Sequence, residues 1–368
     1  MGKTQCQYRL EGVTDHGVIL RPSQKGEPLY PCEGGGIREA ILNREGPYFY
    51  LFYDGWTPLD VADKMNYNLR ARSLDLRHWE KQGVQLTGAR RTHPDESPAD
   101  RFDYYCRVSP WIYQEEGVYS MFYIGSGGQM PDSTPEVPYA TLLAHGGSIE
   151  GPWRPVTEEP GKGRHVCFPL RPGTFYSHTA CAGHVMRNPK WRGEGDPDNY
   201  KYMMFFGAAS MEGELTRGIG IARTNDLNAT DDFDKMEGNF WHIDDQPLAP
   251  LEDDVENSSV YYEASTGTWY LFTNHIDPTN TYTDAIWVYW TQDTDHWDPA
   301  NKAVVLDRQN TVAVKGAIGM PTVLKLDGHT LAMAYDGAEG EDYSHMNRSI
   351  CLATIRLPLA VPGRASAQ

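Results

Sequence analysis

The chain has 368 residues, 40% hydrophobic and 23% charged, the proportions of a soluble globular protein with a full core, and no run of about 18 apolar residues points to a membrane span. Its formal net charge of −17, spread along the sequence, would repel a polyphosphate backbone and excludes nucleic acid as an expected partner. Six cysteines without a CxxC pair argue against zinc ribbons and against a dense disulfide framework, and read as small core residues.

Taken in chain order, MGKTQCQYRLEG lacks the apolar stretch of a secretory signal, so a cytoplasmic location is expected, with a trimmed secreted chain as the alternative. The segment QYRLEGVTDHGVIL (7–20) then precedes a repeat. A Tyr-rich strand ending in a small turn recurs as YFYLFYDG (48–55), VYSMFYIGS (118–126), YKYMMFFGAAS (200–210), GTWYLFTNH (267–275) and HTLAMAYDG (329–337). The spacing is roughly 60–80 residues. Each copy follows an apolar run, REAIL (38–42), SPWIY (109–113), GHVM (183–186), SSVYY (258–262) or MPTVL (320–324), with turns such as NREGP, QEEG and LDG between the two runs. Every unit therefore opens with a hairpin. A third strand and a charged or Trp-ended edge follow, and SLDLRHWE (73–80) parallels DTDHWDP (293–299).

Three inner strands plus an outer edge, repeated five times without helical periodicity, predict an all-β fold: a five-bladed β-propeller forming a single domain over 1–368. The blades are expected near 30–95, 100–157, 175–245, 253–308 and 315–360, with the segment 7–20 supplying a strand that closes the ring and PGRASAQ (362–368) as a frayed tail. Two Gly- and Pro-rich interruptions, 126–138 and 158–178, read as loops over one face of the ring.

In a propeller the innermost strands line the axis, and polar residues at their starts converge at one mouth of the channel. The five starts are Arg38-Glu39, Arg107-Val108-Ser109, Cys181-Ala182-Gly183-His184, Glu256-Asn257-Ser258 and Gly319-Met320-Pro321. Two of them offer carboxylates, Glu39 and Glu256. Paired carboxylates across a pocket are what glycosidic hydrolysis requires, one protonating the leaving oxygen and one activating water or attacking the anomeric carbon. The structural alternative is that Glu39 forms a buried ion pair with Arg38 or Arg107 and that Glu256 belongs to an acidic turn.

This grammar of strand start, hairpin, YLFYDG and then SLDLRHWE or SIEGPW resembles the five-bladed β-propeller glycosidases of the arabinanase, β-xylosidase and invertase superfamily, and most closely glycoside hydrolase family 43, from about residue 33 to 358. The resemblance implies that Glu39, standing where an Asp-Pro is usual, is the base. It implies that Ser109-Pro110-Trp111-Ile112 matches the usual small residue and Pro of the second blade, and that Glu256 is the general acid. Relatives place an Asp at the start of the third blade, where this sequence has SHTACAGHVM (177–186) with no carboxylate. His178, as a further catalytic group, or His184 takes over a polar role there, since an imidazole can serve as acid, base or sugar partner near neutral pH; a structural histidine is the alternative.

Arg38, Asp54, Asp103, Arg107, Ser109, Trp111, His184 and His275 are the expected substrate-binding residues, with Phe175 and Tyr176 as further candidates for the site wall and Trp56 following Asp54 in the first hairpin's YDGW. The competing readings are a turn-capping role for Asp54, because Asp336 repeats the YDG pattern, a structural ion pair for Asp103 and Arg107, and core positions for the aromatics. No GxxxxGK[ST], HExxH or GxSxG motif occurs and no ligand cluster suggests a metal or other cofactor. The expected function is hydrolysis of a furanoside or another terminal sugar, with inversion the stereochemistry that widely spaced carboxylates favour. A retaining fructosidase-like enzyme, an anhydro-sugar hydrolase and a non-catalytic carbohydrate-binding propeller are the rivals. The expected partner is an oligosaccharide or glycoside, with homo-oligomers open.

Overall fold

The computed structural model describes residues 8–61, 64–128, 138–193, 199–213, 215–235, 241–244, 246–248, 254–276, 282–344 and 346–361. Five antiparallel units follow one another around a ring, as the repeat predicts. Blade 1 consists of Ile37–Glu45, Tyr48–Trp56, Asn66–Ser73 and Glu80–Thr87, from inside to outside. Blade 2 holds Cys106–Glu115, Val118–Ser126, Tyr139–Gly146 and the short Arg154–Pro155. Blade 3 holds Thr179–Arg187, Tyr202–Ser210, Thr216–Thr224 and His242–Ile243. Blade 4 holds Val255–Glu263, Thr268–Ile276, Tyr282–Thr291 and Lys302–Asp307.

Blade 5 has Ile318–Lys325, Thr330–Ala338 and Arg348–Ala360, and its outermost strand is Glu11–Leu20 from the other end of the sequence. The segment 7–20 thus closes the ring, pairing Glu11 with Ala360 and Leu20 with Ile350. Just before it, the Leu10 amide donates to the Val304 carbonyl at 2.8 Å, so this segment also touches the edge of blade 4. The expected tail, 362–368, and most of the loop 126–138 lie outside the described residues.

The second strand of each blade is buried on both faces because blades stack face to face, and this is why those strands read as near-continuous apolar runs. Each junction has its own core. Tyr50 and Phe52 of blade 1 meet Met121 and Tyr123 of blade 2, and Phe206 of blade 3 meets Trp111 and Phe122 of blade 2. Blades 3 and 4 share Phe205, Trp269 and Leu271, blades 4 and 5 share Phe272, Met333 and Tyr335, and blades 5 and 1 share Ala334, Leu51 and Tyr53.

The parallel between SLDLRHWE and DTDHWDP is a structural device on the rim. The Ser73 and Thr291 hydroxyls accept the Asp75 and Asp293 amides at 3.1 and 3.0 Å, and the Trp79 and Trp297 indoles donate to the Leu76 and Thr294 carbonyls at 3.1 and 2.9 Å. Such side-chain turns satisfy backbone groups that leave the sheet.

One irregularity recurs in every inner strand. Pairing with the second strand breaks between Arg38 and Ile41, Val108 and Trp111, Cys181 and His184, Glu256 and Ser259, and Gly319 and Thr322. Each break sets two residues of the inner strand against one of its partner, a β-bulge, which bends the strand start. The first bulge residue is left-handed in four blades: Glu39 (φ 53), Ser109 (φ 49), Asn257 (φ 62) and Met320 (φ 53). In the third blade the bulge is Ala182-Gly183, and a Cβ on Gly183 would lie 1.8 Å from the Phe205 carbonyl oxygen, so only glycine fits.

Candidate active site

The bulges put the blades in a common frame. The residues before the bulge are Arg38, Val108, Cys181, Glu256 and Gly319, and opposite them on the second strands stand Asp54, Ile124, Gly207, Asn274 and Asp336. Glu256 is therefore equivalent to Arg38, and Glu39 is equivalent to Asn257. The two carboxylates expected as a pair come from positions one residue apart in this frame.

They nevertheless meet at one place. Arg38, Glu39 and Trp56 from blade 1, Trp111 and Tyr139 from blade 2, His178, Cys181 and Arg217 from blade 3 and Glu256 from blade 4 all line a cavity of about 290 Å³ at the mouth of the ring. Larger hollows exist, such as one of about 690 Å³ at the outer edge of blades 3 and 4 around Tyr200, His242 and Asp293, but no bulge residue reaches it. The axial cavity is the one where carboxylates and aromatic walls from four blades converge, and it is the candidate site on chemical grounds.

Glu39 is held from two sides. Its carboxylate accepts from the Arg38 guanidinium and from the Ser109 hydroxyl, and its amide donates to Asp336 at 3.2 Å. Arg38 in turn lies over the Trp56 ring, 5.4 Å from its centre, a cation–π arrangement that fixes the guanidinium plane. Both charges are buried, so their mutual attraction offsets the cost of removing them from water. Glu256 lies on the cavity wall from the fourth blade. Between them, at the third-blade position equivalent to Glu256, sits Cys181, whose thiol is pushed up by burial and further by the Glu256 and Glu39 charges. It stays a protonated thiol, unable to act as the missing carboxylate.

The remaining expected site residues separate into two groups. Ser109 is buried beside the cavity and reaches it through Glu39. Trp111 forms part of the wall and His178 is buried there, its backbone bridging the Tyr139 amide and the Ala209 carbonyl at 3.3 and 3.0 Å. Asp54 is buried behind Ser109 and accepts its amide at 2.7 Å. Asp103 and Arg107 pair at 2.7 Å in a buried network with Glu158, Tyr123 and Thr157, away from the axial cavity. His275 bonds the Tyr289 hydroxyl at 2.8 Å and stacks on Trp287, also off the cavity.

His184 accepts the Val260 amide through Nδ1 at 3.1 Å and lies 5.1 Å from the Trp111 ring. Burial holds it neutral, its pKa lowered to about 4. Phe175 and Tyr176 pack on Phe206 in the core between blades 2 and 3.

Cys181 and Asn257 line the cavity as strand-start residues, and Tyr139 and Arg217 line it without having been expected there. Tyr139 and Arg217 come from third strands, which only the closed ring brings to the mouth. Among the described residues no group of three or more His, Cys, Asp or Glu is gathered that could hold a metal ion.

No protein-family model and no curated protein sequence matches the chain. Solved structures do match in fold. A complex of BT0996 with RGII superposes with a TM-score of 0.62 at 15% identity, over 98% of this protein and 95% of that one. An exo-1,5-α-L-arabinanase from a bovine ruminal metagenomic library gives 0.55 at 14% identity, over 85% and 92%. The catalytic domain of a Coprinopsis cinerea GH62 α-L-arabinofuranosidase gives 0.53 at 12% identity, over 96% and 98%. The class defined is the propeller fold on which glycoside hydrolases are built. Within it, the resemblance read from the blade grammar holds for the architecture along nearly the whole sequence.

Proposed function

We propose that the protein is a glycoside hydrolase that removes a terminal sugar, a furanoside by preference, with Glu256 as the general acid and Glu39 as the base. The observation that carries this reading is the convergence of these two carboxylates, from different blades, on one small cavity walled by Trp56, Trp111 and Tyr139. At about 290 Å³ the cavity lies at the lower end of ligand sites, which suits one or two sugar rings. Aromatic faces would cover the C–H faces of the sugar and exclude water other than the attacking one.

In the reaction, Glu256 gives its proton to the departing glycosidic oxygen as the bond to the anomeric carbon breaks. Glu39, charged and steadied by Arg38, takes a proton from the water whose oxygen forms the new bond. We propose inversion, and following the anomeric product by NMR during turnover distinguishes it from retention. The fold neighbours that act on arabinofuranosides and arabinan support the substrate class.

The test is a screen of aryl glycosides, including D- and L-furanosides, followed by Glu256→Gln and Glu39→Gln. Each variant is expected to fold normally and to lose activity by about 10²–10⁴-fold. Near-wild-type rates in both would sink the proposal. A second reading, a carbohydrate-binding propeller without turnover, is favoured by one observation: Arg38 and Cys181 occupy the positions equivalent to Glu256. It predicts sugar affinity that survives Glu256→Gln and no product from any glycoside.

A further inference from the structure

The Ser109 hydroxyl lies between two carboxyl groups. It bonds Glu39 Oε2 on one side and Asp54 Oδ2, at 3.1 Å, on the other, while the Ser109 amide donates to Asp54 Oδ1 at 2.7 Å. A hydroxyl has one proton and can donate it to one oxygen only. Both contacts are hydrogen bonds only if one of the two carboxyl groups is itself protonated; otherwise two anions face a single donor inside a buried site. Asp54, Glu39 and Ser109 are all buried, so the conflict lies inside the protein.

We propose that Asp54, Ser109 and Glu39 share one proton that rests on Asp54, and that this neutral Asp54 is the positioning residue that keeps Glu39 a charged and correctly aimed base. The chain of donors then runs one way: Asp54 Oδ2–H to Ser109 Oγ, and Ser109 Oγ–H to Glu39 Oε2. The placement of cations decides which end keeps the proton. Arg38 bonds Glu39 directly and stabilises the anion at that end, whereas the hydrogen-bond partners of Asp54 are the amide and hydroxyl of Ser109.

The titratable groups facing Asp54 are Arg38 and Glu39 from its own blade and the Cys106 thiol from the next. Glu39 also faces the Cys181 thiol and, through its amide, Asp336. Burial and then the Glu39 charge push the Asp54 carboxyl well above the usual carboxylate range, in the direction the geometry demands.

The proton on Asp54 stays in place during turnover. The water proton goes to Glu39, the Glu256 proton goes to the departing oxygen, and both are exchanged with solvent after product leaves. Loss of the Asp54 proton at high pH puts two anions on one hydroxyl and frees Glu39 to turn away.

This rests on Glu39 acting as the base, and the experiment separates the two claims. Difference infrared spectroscopy in H₂O and D₂O on wild-type protein near neutral pH should show a protonated buried carboxyl, and Asp54→Asn should remove that band. Glu256→Gln identifies the general acid's own carboxyl band, and a wild-type spectrum with no further band, or a further band that survives Asp54→Asn, overturns the shared proton whether or not a substrate is known. On an aryl glycoside whose leaving group departs without protonation, so that the Glu256 proton does not set the alkaline limb, Asp54→Asn, whose amide can donate to Ser109 in the same sense, should shift the alkaline limb of the kcat/KM profile upward. Ser109→Ala should lower kcat by about 10–100-fold, the worth of one hydrogen bond to a charged group, with KM changed far less. An alkaline limb identical in wild type and Asp54→Asn, or a Ser109→Ala effect confined to KM, overturns the positioning role. If the infrared band is present and no glycoside is turned over, the failure belongs to the hydrolase reading and not to the shared proton.

Discussion

The ring is fastened differently on its two sides. At the junctions of blade 4 with 5, 5 with 1 and 1 with 2, the residue opposite the pre-bulge position of the earlier blade is polar and reaches the amide of the next blade's left-handed bulge residue. Asp54 accepts Ser109 at 2.7 Å, Asn274 accepts Met320 at 3.0 Å and Asp336 accepts Glu39 at 3.2 Å. On either side of blade 3 the same positions are Ile124 and Gly207, and both face the axial cavity. A strained left-handed residue costs about 1–2 kcal/mol, comparable to what a hydrogen bond to a charged acceptor returns. Where the latch is missing, Ala182 has an ordinary φ and the other recipient is Asn257, a residue type that tolerates the left-handed region. The site has opened where blades are not latched.

Blade 3 is fastened by other means. Tyr139 pairs with Thr179 in parallel, so the sheets of blades 2 and 3 run on into each other, and the Thr141 hydroxyl donates to the Ala180 carbonyl at 2.8 Å. Toward blade 4, His184, the first residue after its own bulge, accepts the Val260 amide. The equivalent residues Ser259 and Thr322 do the same for Val323 and Leu42, at 2.9 and 3.4 Å.

This contrast can be broken from several sides. The largest effect is expected from Asp336→Ala, which leaves the fully buried Arg348 without its 2.8 Å ion-pair partner and also removes the latch to Glu39. A loss of about 3–5 kcal/mol in urea unfolding is expected, and a loss under about 1 kcal/mol would show that the latched side is not held by these bonds. Asn274→Ala, which orphans the buried Met320 amide, should cost about 2–3 kcal/mol by the same measurement.

His184 sharpens the comparison through pH. Its pKa of about 4 lies below the ordinary 6.5, so its contribution is complete above about pH 6.5 and is lost as pH falls toward 4. Because the ring is only partly buried, about 2 kcal/mol is expected over that window, and His184→Gln should flatten the acid limb of a stability–pH curve. Thr322→Val, acting on a 3.4 Å bond, should cost under about 1 kcal/mol.

The five hairpins and the closing strand were legible because period, turn residues and apolar runs are local properties of the sequence. The bulges were not, since a left-handed Glu39, Ser109 or Met320 has none of the glycine or asparagine signal that normally marks such a backbone. That is why Glu39 and Glu256 look like equivalent strand starts in the sequence and stand one residue apart in the folded frame. Asp54 and Asp336 were recognisable as a repeated pair. Their reach to the following blade, in place of a local turn, depends on blade stacking. The wall residues Tyr139 and Arg217 had no local signal, because ring closure alone brings third-strand residues to the mouth.

The union of Glu11–Leu20 with Arg348–Ala360 also sets a timetable. Of the described strands Glu11–Leu20 is made earliest, and its partner leaves the ribosome more than three hundred residues later. Until then the nascent protein has an unpaired sheet edge, the kind of surface that recruits other chains. In refolding the same pairing closes the longest loop in the ring, and protection of residues 11–20 from hydrogen exchange should be the final event.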